Sequence, residues 1–187
     1  CNTSCDASSI WKILMREIPR ITEVHAAHDR IRGVIHRTPV MTCATLDALS
    51  GHQLFFKCEH LQRVGAFKFR GASNAVMSLS EADAARGVCT HSSGNHAQAL
   101  ARAARDRGIR AWIVMPSNAP AIKRDAVEDY GATVISCEPT LEARETTALA
   151  VQADTGARFI HPYDDPHVIA GQGTAAVELL DQVERLD

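Results

Sequence analysis

From residue 87 onward the apolar and polar positions fall into two alternating patterns. Short apolar runs at residues 88–90, 111–115, 133–137 and 158–160 are separated by longer stretches in which alanine, leucine and valine return every three or four positions. The runs have the length of buried strands, and the stretches between them have the period of helices with one apolar face. Gly87, Gly108, Gly131 and Gly156 each stand between a helical stretch and the next run, where a left-handed C-cap favours a residue without Cβ. Their intervals of 21, 23 and 25 residues hold one strand, one helix and two short loops. This spacing predicts repeated βα units, a four-stranded parallel sheet and right-handed crossovers. Ala97, Leu100, Ala101 and Ala104 share one helix face, and Ala176, Leu179, Leu180 and Val183 repeat that spacing near the end.

Upstream the pattern is less regular. Residues 1–20 form a tail or a short helix with no functional reading. Val24, Ala27, Ile31 and Val34 predict an amphipathic helix capped by Thr22 and running toward His36. His25 and His28 stand three apart on it with Asp29 beside them, but no further ligand set accompanies them, so the histidines are expected on a solvated face. Residues 45–50 predict a short helix closed by Gly51, and residues 54–58 a buried strand.

Composition narrows the picture. With 187 residues, 45% of them hydrophobic, the chain can bury a sizeable core but is short for two complete domains. A net charge of −2 supplies no basic field for nucleic acid or an anionic membrane, so small neutral or zwitterionic ligands fit better. The six cysteines contain no Cys-x-x-Cys pair, which fits neither a zinc site nor a disulfide scaffold. Reduced thiols in a cytosol are expected, with Cys58 and Cys89 as small core residues. No apolar run is long enough to cross a bilayer, and no signal-peptide pattern opens the chain. A first residue of cysteine fits a processed start or a piece of a longer chain.

Two stretches carry candidate chemistry. In Arg63-Val64-Gly65-Ala66-Phe67-Lys68-Phe69-Arg70-Gly71-Ala72, Lys68 lies between two aromatic rings. Desolvation there disfavours the ammonium and leaves a nucleophilic amine. The alternative on residue types alone is a helix start with Lys68 and Arg70 in water. His91-Ser92-Ser93-Gly94-Asn95-His96 joins a predicted strand to a predicted helix, and its hydroxyls, exposed amides and helix N-terminus suit a carboxylate or phosphate. Ordinary capping by Ser92, Ser93 or Asn95 is the alternative. Gly171-Gln172-Gly173-Thr174-Ala175-Ala176 matches a loose dinucleotide pattern but follows no strand, which argues against a nicotinamide oxidoreductase.

Together with Phe55-Phe56-Lys57-Cys58-Glu59 and Ala170-Gly171-Gln172-Gly173-Thr174, these stretches resemble the fold type II pyridoxal-phosphate enzymes, within them the serine racemase and threonine dehydratase group. The resemblance runs from about Ile21 to the last residue. It implies an α/β fold in which a small open parallel-sheet domain, residues 87–162, is inserted into a larger domain supplied here by residues 21–86 and 163–187. It implies that Lys68 joins pyridoxal phosphate through an imine and later removes the substrate α-proton. Phe67 would pack near the cofactor and Asn95 would bond its ring hydroxyl. Ser92, Ser93, Gly94, Asn95 and His96 would hold the substrate carboxylate, and Ser93 would serve as the second acid/base group on the opposite cofactor face. The Gly-Gln-Gly-Thr stretch becomes helix packing at the domain return.

The expected activity is dehydration and deamination of L-serine or L-threonine, with serine racemisation from the same constellation. A hydroxyaspartate dehydratase is an alternative, and a non-catalytic fragment or interaction module is another. In this family the phosphate loop, the pyridine-nitrogen partner and any metal ligands lie downstream of residue 187, so cofactor affinity would be poor were this the whole protein. No metal is expected in this chain, and Ala66 and Arg63 count against a nucleotide-effector site. The full-length protein is expected to be a cytoplasmic homodimer.

Overall fold

The structure, a computed structural model, describes residues 18–186, and the expected tail or helix at residues 1–17 lies outside the described residues. The described helices are α1 (Ile21–Ile31), α2 (Ala44–Ser50), α3 (Lys68–Met77), α4 (Glu81–Arg86), α5 (Asn95–Arg107), α6 (Ala121–Asp129), α7 (Leu141–Thr155) and α8 (Pro166–Gln182). The strands are β1 (Val40–Met41), β2 (Phe56–Lys57), β3 (Val88–His91), β4 (Ala111–Pro116), β5 (Thr133–Cys137) and β6 (Arg158–Phe159), and single 3-10 turns occupy Glu59–Leu61 and Arg63–Gly65.

The four predicted strands pair in parallel in the order β5-β4-β3-β6. Alternation along each strand divides the core between the two faces of the sheet. Val88, Ile113 and Met115 face α5 and α6 through Ala97, Leu100, Ala101, Ala104 and Val127. Cys89 and Val114 face α7 through Ala148 and Val151. Gly108 (φ 73°) and Gly156 (φ 69°) end α5 and α7 in the left-handed conformation that the spacing predicts. Cys58 and Cys89 are buried, and burial pushes the Cys89 thiol up to about 11.

The other elements depart from expectation in three places. Helix α1 is capped by Arg20, whose amide donates to the Glu23 carboxylate at 2.7 Å, and Thr22 already lies inside its first turn. The expected buried strand at residues 54–58 contracts to Phe56–Lys57, paired antiparallel with β1, and Phe56 is 40% exposed. On α8 the buried face carries Val168, Ala170, Gly171, Thr174 and Glu178, whereas Leu180 is 64% exposed.

This last correction has a steric cause. Helices α3 and α8 cross with their backbones in contact, so the facing positions must be small or polar enough to pair. A Cβ added to Gly171 would lie 2.6 Å from the Gly71 Cα and 2.7 Å from the Arg70 carbonyl oxygen. The Gln172 side-chain carbonyl accepts from the Gly71 amide at 3.1 Å across the same crossing. The Gly-Gln-Gly-Thr stretch is therefore helix packing, as expected. Gly171→Ala is expected to destabilise the fold by about 1–3 kcal/mol, because rigid main chain on both sides leaves the new methyl no room. Denaturant titration measures this directly, and Gly33→Ala, with open space around it, is the control.

Candidate active site

Strand order fixes where a ligand can enter. From β3 the chain moves outward to β4 and β5 with α5 and α6 on one face, then α7 crosses the other face and returns it to β6, on the opposite side of β3. The loops after β3 and β6 therefore diverge from adjacent parallel strands and leave a crevice at their carboxyl ends, the usual ligand position in open α/β sheets. Residues 92–94 form one wall. Residues 160–165 form the other.

Lys68 reaches this crevice from outside the sheet. It is the first residue of α3, and its ammonium donates to the Pro162 carbonyl at 2.8 Å. The side chain is half-buried, with Nζ 5.3 Å from the centroid of the Phe67 ring, and burial lowers the amine's pKa from 10.5. Phe67, next to it, is 44% exposed.

On the opposite wall no side chain caps α5, whose N-cap is Gly94. The capping alternative for Ser92, Ser93 and Asn95 is thus not realised. The Ser92 hydroxyl instead accepts from the Gly94 amide at 3.2 Å, Ser92, Ser93 and Gly94 are half-buried, and Asn95 is exposed. The positive end of a 13-residue helix and its first amides are left without a side-chain cap at the carboxyl end of β3.

His96 behaves differently from its neighbours. It is 2% exposed and neither ring nitrogen makes a hydrogen bond. Burial, then the nearby Lys68 charge, pushes its pKa down to about 4, against a smaller upward pull from the Ile160 backbone. A neutral imidazole thus sits between the two walls. Among the described residues no group of three or more histidine, cysteine, aspartate or glutamate side chains could hold a metal, and no helix is long and apolar enough to cross a membrane.

The reading that leaves Arg70 in water fails. Arg70 is fully buried at the α3–α8 crossing and donates to both Glu59 oxygens at 2.7 and 2.8 Å and to both Glu178 oxygens at 2.8 Å. Lys57 adds a bond to Glu178 at 2.6 Å. Burial works against the Arg70 charge, and the two carboxylates outweigh it, raising the guanidinium pKa. Burial likewise works against the Glu178 carboxylate, and Arg70 and Lys57 outweigh it, lowering its pKa. This network and the Pro162 acceptor were not among the candidate residues. Interrupting charges at Lys57, Glu59 and Glu178 inside otherwise apolar segments were the available signal.

The sequence profile of the pyridoxal-phosphate dependent enzymes matches residues 31–187. The β-hydroxyaspartate dehydratase of Paracoccus denitrificans (strain Pd 1222) is 55% identical over 170 residues, which cover 91% of this chain and 54% of that protein. The crystal structure of serine racemase from Dictyostelium discoideum superposes with a TM-score of 0.88 at 48% identity, over 90% of this chain and 55% of that one. The T.th. threonine deaminase superposes with a TM-score of 0.81 at 46% identity, over 88% and 52%. The chain spans about half the length of the curated relatives it matches.

Proposed function

Because this chain belongs to the family of pyridoxal-phosphate dependent enzymes and has their fold type II architecture, we propose that it forms the lysine-bearing half of an ammonia-lyase acting on β-hydroxy amino acids, with serine racemisation as a second outcome. The observation that carries this reading is the Lys68 amine, partly desolvated and bonded inside the crevice opposite an uncapped helix. The names of the relatives put serine, threonine and β-hydroxyaspartate in the substrate class.

The residues present fit the cofactor. An amine of lowered pKa, a half-exposed aromatic ring beside it and an orphaned buried imidazole behind it make a polar niche of the right chemistry. Lys68 would hold the cofactor aldehyde, Phe67 would pack against the ring and Asn95 would face its hydroxyl. Pyridoxal phosphate, when bound, supplies the electron sink that makes an amino acid's α-proton removable.

The remaining work falls to the chain's own groups. The α5 amides, with Ser92, Gly94, Asn95 and the His96 amide, would bind the substrate carboxylate and orient the bond to be broken. Lys68 would take the α-proton, and the Pro162 carbonyl would aim its amine. Ser93 would return a proton to the other face for racemisation, whereas loss of the β-hydroxyl would lead to ketoacid and ammonia.

We place the larger-domain parts at residues 21–86 and 163–187 and the small domain at residues 87–162. Exposed Met41, Phe56 and Leu61 around the two-stranded sheet support burial against further protein, consistent with a homodimer of the full-length enzyme. The unbridged Cys43, Cys58, Cys89 and Cys137 support a cytoplasmic location.

Spectral titration of the purified protein with pyridoxal phosphate tests the reading. The expected result is a visible band bleached by borohydride. Its absence at millimolar cofactor favours a non-catalytic interaction module. Chiral analysis then divides the two outcomes: Ser93→Ala is expected to cut D-serine formation by about 100-fold, the scale of a lost proton donor, while ketoacid release falls by less than about 10-fold. Unchanged D-serine formation removes Ser93 from the scheme.

A further inference from the structure

The turn that delivers Lys68 is built on a strained residue. Val64 has φ 57° and ψ 15°, and among the described residues it is the one non-glycine with positive φ. A β-branched side chain is poorly suited to that conformation, because its Cβ crowds the adjacent carbonyl. Gly65 follows with φ 68°, so two successive left-handed residues reverse the chain just before Ala66, Phe67 and Lys68.

Both ends of the turn are fixed. Upstream, Gln62 is buried, accepts from the His36 amide at 2.9 Å and donates to the His36 carbonyl at 2.7 Å. Downstream, Ala66 is buried and Arg70 is locked between Glu59 and Glu178.

Strain of this kind persists only where the surroundings over-determine it. Glycine or asparagine would meet the backbone requirement without it. A valine in this position therefore points to its side chain. That side chain packs on the core cluster containing Ala97, Leu100 and Ala101 of α5, and the turn itself lies against that helix. Helix α5 begins at the cradle.

We propose that Val64 is a positioning residue whose side chain tethers the lysine turn to α5 and so fixes the separation between the Lys68 amine and residues 92–95. The proposal rests on the assignment of Lys68 and extends it to a residue with no polar side-chain atom.

Three variants test it. Val64→Asn and Val64→Gly relieve the strain and remove the tether, whereas Val64→Thr keeps the branched shape. In cofactor-free protein the Lys68 amine is titrated by NMR after reductive 13C-methylation, and melting temperature is recorded. Imine formation with pyridoxal phosphate is timed separately, on unmethylated protein. In the Asn and Gly variants melting is expected to stay within about 4 °C of the parent, since strain relief offsets the lost contact. Their Lys68 midpoint should move upward toward the ordinary 10.5 as the amine gains water. Imine formation should slow by about 10- to 100-fold, the scale of a small misplacement.

Val64→Thr should match the parent. A parental midpoint and rate in both Asn and Gly variants overturns the tether, as does a Thr variant as slow as Gly. Should Val64→Asn fail to fold, the Gly and Thr variants carry the same comparison. A parent that forms no imine refutes the assignment of Lys68, yet the cofactor-free midpoints still decide whether Val64 positions the amine.

Discussion

Lys68→Ala is expected to abolish the borohydride-sensitive band and to lower turnover of serine by about 10⁴-fold, the scale seen when a nucleophile or its base is removed. Melting should change little, because the Lys68 side chain is only half-buried and the Pro162 carbonyl that accepts from it lies at the wall of the open crevice. The pH dependence adds an independent check. Burial lowers the amine's pKa from 10.5, so the neutral, nucleophilic form gains population at lower pH than in free lysine. The rate of imine formation should therefore reach its half-maximum below 10.5. A half-maximum at the free-lysine value, or a surviving band in the Ala variant, would place the reactive amine elsewhere.

The second large effect concerns stability. Arg70→Met should cost about 3–5 kcal/mol, because it leaves Glu59 and Glu178 facing each other in the protein interior without their shared cation. Lys57 compensates only part of this, since it reaches Glu178 and not Glu59. Replacing all four charged groups together, Arg70→Met and Lys57→Met with Glu59→Gln and Glu178→Leu, should recover much of the loss, because apolar groups of similar volume often replace buried ion pairs at little cost.

The sign with pH follows from Glu178. Its folded pKa lies below the ordinary 4.5, so its contribution is fully present above 4.5 and is lost as pH falls through the lower, folded value. In the Arg70 variant that loss should begin at higher pH. Urea titrations at neutral and acidic pH measure both effects, and an Arg70→Met variant as stable as the parent would show that the network contributes nothing net.

The sheet was legible because strand and helix periods are local properties. Each apolar run from residue 88 to residue 160 needed only its own side chains and a neighbouring glycine to be recognised. The site was legible in part, since Lys68 and residues 92–96 lie in contiguous stretches. Pro162 was not, because its nearness to Lys68 depends on β6 pairing beside β3, and strand order leaves no mark on a single segment.

Arg70 looked solvated for a related reason. Its partners lie 11 and 108 residues away, and a charged residue in isolation belongs in water. The face of α8 was misjudged because an apolar stripe is the ordinary sign of burial, whereas here the contact demanded glycine and a carboxylate. The left-handed turn at Val64 was hidden by Gly65, which offers a simpler place for positive φ.

The crossing of α3 and α8 also limits how the crevice can breathe. Lys68 opens α3, Pro166 opens α8 shortly after Pro162, and the two helices touch main chain to main chain at Gly71 and Gly171. The lysine and the carbonyl that receives it therefore travel on one rigid girder. The Val64 turn and α3 itself also lie against α5, so the bank formed by residues 92–95 is held to the same girder and the gap is a fixed slot rather than a door.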